Sequence, residues 1–124
     1  MEKQKLDVLV FRDHKAKAWV AQSMQKNVVA QGMTADLAFN RFILSLMGLC
    51  YLDLAADIKP LSRLAPSPQK SQAKYEQAIP AKFVAWIRDK DQINRQLKKL
   101  LAEKNYAIKI NKIRIIPTRS QYDE

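Results

Sequence analysis

The side chains able to do acid–base, metal or nucleophilic chemistry are few and scattered along the chain. His14 is the only histidine and Cys50 the only cysteine. A Ser-His-Asp triad would have to use His14 as its base. That residue sits in Asp13-His14-Lys15, which reads as an exposed polar turn. A zinc site needs a cluster of Cys and His ligands, and one of each cannot supply it. Asp7, Asp36, Asp53 and Asp57 raise the chemistry of a magnesium-dependent nuclease. Asp36, however, fits a helix start, and Asp53 and Asp57 fit a helix C-terminal turn. Gly32 and Gly48 are the only glycines, so phosphate-loop and dinucleotide glycine patterns are absent. The reading is a non-enzymatic protein with no cofactor and no metal.

Binding chemistry is the alternative, and charge directs it. The 124 residues carry 22 Lys and Arg against 12 Asp and Glu, a net of +10. Residues 1–62 hold 8 basic and 6 acidic residues, and residues 63–124 hold 14 and 6. An excess confined to one half suits nucleic acid or an acidic protein surface. Arg88, Arg95, Lys98 and Lys99 in one helical segment, with Lys109, Lys112 and Arg114 in the last β segment, are the candidate binding residues. Trp86 lies on an apolar stripe and reads as core.

These residues must be held by a scaffold. LDVLVF, residues 6 to 11, is apolar on both alternating sets, as in a central strand covered on both faces. AKAWVAQSM, residues 16 to 24, and NVVAQ, residues 27 to 31, follow after short polar turns, predicting an antiparallel meander. Trp19 and Ala21 share one face and Val20 the other. Gly32 is expected to take a positive φ at a sharp exit into a helix. Thr34 is the expected N-cap, with Asp36 in the first turn. The helix then runs on to stop before Pro60. It is apolar nearly all round, so one side should cover the sheet and the other a second helix or subunit. Leu46 and Leu49 are the expected oligomer contacts. The apolar run Phe42 to Leu52 is too short to span a bilayer, so no membrane association is expected.

Residues 59–80, rich in Pro, Ser, Gln and Lys, read as a connection with a short helix around Gln72 to Ala78. A second, amphipathic helix starts just after Pro80. Phe83, Trp86, Ile87, Ile93, Leu97, Leu100 and Leu101 form its apolar stripe, with Arg88, Arg95 and Lys99 opposite. It is expected to pack on the first helix. In YAIKINKIRIIP, Ile108 and Ile110 have one parity and Ile113 and Ile115 the other. A bulge at Asn111-Lys112 or two short strands would reconcile them. Thr118 to Glu124 is expected to fray. The fold class is α+β, an antiparallel three-stranded sheet plus a long helix in the order β-β-β-α-α-β. Residues 1–58 form the core, 59–80 the connection and 81–124 a basic helix and final strand of the same domain.

WVAQSMQKNVVAQGMTADLAF, residues 19 to 39, resembles the HicB-like antitoxin domain. Trp19, Val20, Ala21, Ala30, Gln31, Gly32, Thr34, Asp36 and Ala38 carry the likeness, with Trp19, Gly32 and Thr34 as its structural motif. Leu64-Ala65-Pro66 and the later Tyr75 are similar to the family's Ala-Pro segment after the helix. The resemblance implies a non-catalytic partial RNase H-like β-β-β-α-β fold that forms dimers or larger oligomers. It implies an antitoxin that blocks a toxin-type protein partner of a toxin-antitoxin system. The alternative is a nucleic-acid-binding accessory or regulatory protein, such as one encoded by a mobile element, that uses the basic second half. A single cysteine in an apolar run and an N-terminus without a long apolar segment suggest a cytoplasmic protein.

Overall fold

A computed structural model describes residues 3–81 and 84–117, and the side chains of 84 to 88 fall outside that description. Strands β1 (Lys3–Asp13), β2 (Ala18–Ser23) and β3 (Val29–Gly32) form the expected antiparallel meander. The first turn is built by Asp13, whose Oδ1 accepts from the backbone N–H groups of Lys15 and Ala16 at 2.9 and 3.2 Å. These bonds, Ala16 foremost, hold its carboxyl below the usual range. Lys17 completes the turn at φ 53.

Helix α1 (Ala35–Ala55) opens as the sequence predicts. Thr34 is in the extended region, and its Oγ1 accepts from the Leu37 N–H at 3.1 Å. This satisfies one of the amides that a first turn leaves unpaired. At the other end the Asp57 N–H donates to the Leu54 carbonyl and the Ile58 N–H to the Asp53 carbonyl. Asp57 takes φ 59, the left-handed turn that closes a helix of this kind. The Asp53 Oδ2 accepts from the Leu61 N–H at 2.8 Å and so fixes the chain beyond.

After α1 the chain forms α2 (Gln69–Gln77), β4 (Ile79–Pro80), α3 (Val84–Ala102) and β5 (Ala107–Ile115). The expected short helix exists. The order is therefore β-β-β-α-α-β-α-β, and the sheet is not the expected three-stranded antiparallel one. It has five strands in the order β3-β2-β1-β5-β4. β5 lies beside β1 in parallel, and β4 closes the far edge antiparallel to β5. A second-half strand fits there because β1 is apolar on both faces and needs a neighbour on each side. The bulge falls where parity required it. Ile110 pairs with Leu6 and Ile113 with Val8, so Asn111 and Lys112 together oppose Asp7. All four isoleucines thus reach one face.

That face is the main core. Leu6, Val8 and Val10 of β1 and Ile108, Ile110, Ile113 and Ile115 of β5 pack under Ala38, Phe39, Phe42, Leu46 and Cys50 of α1 and Ile93, Leu97 and Leu101 of α3. Burying each large side chain contributes about 1.5–3 kcal/mol. α3 sits chiefly over β5 and touches α1 less than expected. Trp19 is half-buried on the same face. The opposite face is smaller: Leu9, Phe11, Val20 and Met24 lie with Tyr75 of α2.

Gly32 does not have a positive φ. It pairs with Trp19 as an ordinary strand residue. Its role is close approach, because a Cβ there would lie 2.6 Å from the Ala38 nitrogen and 2.9 Å from the Leu37 carbonyl carbon. α1 thus crosses β3 almost in contact with its backbone. By length and composition α1 is also long and apolar enough to cross a membrane, unlike the shorter apolar run within it. In this fold one side of it is sheet core. Phe83 and Thr118 to Glu124 lie outside the described residues.

Candidate interaction surfaces

The carboxylates considered for metal chemistry are used one by one in the scaffold. Asp7 sits at the bulge. Its Oδ1 accepts from Asn111 Nδ2 and from the Lys112 backbone N–H, each at 3.2 Å, and its Oδ2 accepts from Gln25 Nε2 at 2.7 Å. Asp53 and Asp57 serve the end of α1, and Asp36 its first turn. Among the described residues no three His, Cys, Asp or Glu side chains gather. His14 is exposed in the β1–β2 turn. Cys50 is buried under α1, and loss of solvent together with nearby Asp53 pushes its thiol up to about 12. So high a value removes the thiolate that nucleophilic chemistry needs.

The basic candidates separate into three sets. Lys98 lines a cleft of about 460 Å³ with Lys109, Lys3, Asn94, Tyr106 and Ile108. Lys112 lines a second cleft, of about 400 Å³, with Lys90, Asn111 and Arg114. Arg114 is already engaged: its guanidinium lies 4.5 Å from the centre of the Tyr75 ring and donates to the Tyr75 carbonyl at 3.2 Å. Arg95 and Lys99 are exposed on the side of α3 turned away from its buried residues, and line neither cleft. The Arg88 and Trp86 side chains lie outside the described residues. Lys90, Lys3 and Tyr106 are not among the sequence-based candidates. The i, i+4, i+8 spacing of Lys90, Asn94 and Lys98 was the available signal.

The oligomer candidates divide as well. Leu46 is fully buried in the core beneath α1, so it has no surface to offer a second subunit. Leu49 is half-buried and borders a shallow cleft of about 530 Å³ with Val29, Ser45, Gly48 and Leu52. The outward face of α1 belongs to residues outside the sequence-based candidates. Leu44 is 72% exposed, Tyr51 and Leu52 are each 63% exposed, and Met33 just before the helix is 79% exposed. A 100° projection from Phe42 and Leu46 would have found Leu44, Gly48 and Tyr51 opposite them. Nothing lies within 4 Å of a Cβ built on Gly48. Beside this face runs β3, an edge strand, where the Arg41 guanidinium donates to the Gln31 carbonyl at 3.0 Å.

Comparison of the chain with protein-family models, curated proteins and solved structures finds no match. The class that fold and surfaces define is an α+β protein whose described residues form a five-stranded mixed sheet and three helices.

Proposed function

We propose that this chain is a non-enzymatic antitoxin-type protein that assembles with its own copies and acts by binding and blocking a partner protein. The observation that carries the reading is the outward face of α1. Leu44, Tyr51 and Leu52 stand on it around the notch at Gly48, with Val29 and Met33 beside it. A helix face this rich in exposed large apolar side chains marks an interaction surface. Projecting leucines next to a glycine notch make the face self-complementary, as an isologous pairing requires. Arg41 is its main charge, so copies of a +10 chain can meet there with little repulsion. The HicB-like resemblance supports the blocking role. The β-β-β-α unit and the return of β5 to the same sheet are compatible with the β-β-β-α-β order that the resemblance implies, with α2, β4 and α3 as additions to it.

Sedimentation at micromolar concentration tests the assembly. A dimer or larger species is expected, and Leu52→Asp should yield a monomer with an unchanged circular dichroism spectrum. A single 14 kDa species for the unaltered chain would overturn the reading. Leu46→Asp is expected instead to unfold the protomer, because it places an unpaired charge in the core. The blocking role is tested by co-expression with the product of the adjoining gene. Growth arrest by that product, relieved by this chain, is expected, and arrest that persists counts against the role.

A further inference from the structure

The outer edge of β5 and the flank of α3 meet along a basic groove that side-chain bonds bridge at its middle. Lys90, Asn94 and Lys98 stand in a row on α3, four residues and so about 6 Å of helix rise apart. The row faces β5. Lys90 Nζ donates to the Asn111 carbonyl at 3.2 Å. Asn94 mimics a strand neighbour: its Oδ1 accepts from the Ile110 N–H at 2.8 Å and its Nδ2 donates to the Ile110 carbonyl at 2.9 Å. β4 pairs only with Arg114 and Ile115. Among the described residues the first half of β5 therefore has no strand on its outer side.

Two basic clefts lie on either side of these bonds, with Lys98, Lys109 and Lys3 at one and Lys90 and Lys112 at the other. No acidic side chain lines either cleft among the described residues. Lys5 is registered directly beside Lys109 on the neighbouring strand. A row of cations suits a linear polyanion better than a single small ion. Tyr106, packed in part against the core, lines one of the clefts, where the remaining surface of its ring is open to a base.

We propose that this groove binds the phosphodiester backbone of a single-stranded nucleic acid. Lys90, Lys98, Lys109 and Lys112 contact phosphates, and Tyr106 stacks on a base. One flexible strand can follow two small clefts in succession along a helix and a sheet edge. A duplex, by contrast, presents its phosphates on a stiff convex surface. This activity is independent of the α1 face and goes beyond the protein-blocking reading.

The test is fluorescence anisotropy with labelled RNA and DNA oligonucleotides of roughly 12 nucleotides, within the range of single-strand sites. It is run across about 50–200 mM salt on three proteins: the unaltered chain, Lys98→Glu with Lys109→Glu, and Arg95→Glu with Lys99→Glu. The last pair changes net charge equally, outside the groove. The unaltered chain is expected to bind with an affinity that falls as salt rises. The groove pair should lose affinity by more than about tenfold, and its slope of log K against log salt should shrink by about 1.4, roughly 0.7 for each phosphate no longer neutralised. The outer pair should stay within about threefold. If the charge reversals unfold the chain, Lys98→Gln with Lys109→Gln replaces them and should weaken binding in the same direction. Absence of salt-dependent binding at about 50 mM would overturn the proposal, as would equal losses in both pairs. Tripolyphosphate competing as well, per phosphate, as an unlabelled oligonucleotide would make the site one for small phosphates and overturn the strand. Tighter binding of a duplex would overturn the single-stranded assignment.

Discussion

Adding a single methyl group at each glycine should move stability in opposite directions. At Gly32, the new Cβ would meet the Ala38 nitrogen at 2.6 Å, the Leu37 carbonyl carbon at 2.9 Å and the Leu37 Cβ at 3.0 Å. The two closest atoms belong to the first turn of α1, so no flexible side chain can swing clear. Ordinary contact begins at 3.4 Å, so the helix must retreat from β3 by roughly 0.8 Å. Ala38, Phe39 and Phe42 move with it, and all three are in the core. A gap of that size forfeits about a quarter to a half of each dispersion interaction it opens. Overpacking of a rigid site costs about 1–3 kcal/mol. Against this, Ala restricts the unfolded chain and contributes about 0.4–1 kcal/mol, since the native φ suits it. Gly32→Ala should therefore lower stability by about 1–2 kcal/mol, and Gly32→Val by more. Gly48→Ala meets nothing within 4 Å and should raise stability by about 1 kcal/mol on helix propensity. Urea unfolding followed by circular dichroism, at a low protein concentration that limits assembly, reads both. A Gly32→Ala protein as stable as the original would refute the close-approach account.

Three further outcomes follow from the geometry. Asp57→Gly should stabilise by about 1 kcal/mol, because it relieves a left-handed residue and removes a negative charge from a helix C-terminus; thermal melting checks it. Tyr75→Phe should be neutral or raise the melting temperature, since the buried Tyr75 hydroxyl has no partner among the described residues while Arg114 bonds its backbone and covers its ring. Cys50 should resist alkylation at neutral pH until the chain unfolds. Its raised pKa means that the unfolded thiol releases its proton first, so stability should fall as pH rises from about 9 towards about 12. Cys50→Ala should flatten that part of the pH profile.

Local signals were legible in the residues themselves. Thr34 caps α1 because a hydroxyl before a helical run needs only the amides of the next turn. The bulge at Asn111-Lys112 follows from side-chain parity along one strand. The division of Trp19 and Ala21 from Val20 follows from period two. What the residues alone left open were pairings across the chain. The parallel seating of β5 on β1 joins segments about a hundred positions apart, and no local period records which edge accepts which strand. That seating gives Asp7 its place at the bulge. It also sets Lys109 beside Lys5 and turns Lys90, Asn94 and Lys98 towards a strand edge, leaving Arg95 and Lys99 outside. The same holds for α1. Its composition says that it is apolar nearly all round. Only its packing against Gly32 and the sheet decides that Leu46 is core and that Leu44, Tyr51 and Leu52 face outward. A helix's rotation about its axis is set by what it packs against, and for α1 that is a sheet edge held at backbone distance by a residue without a side chain.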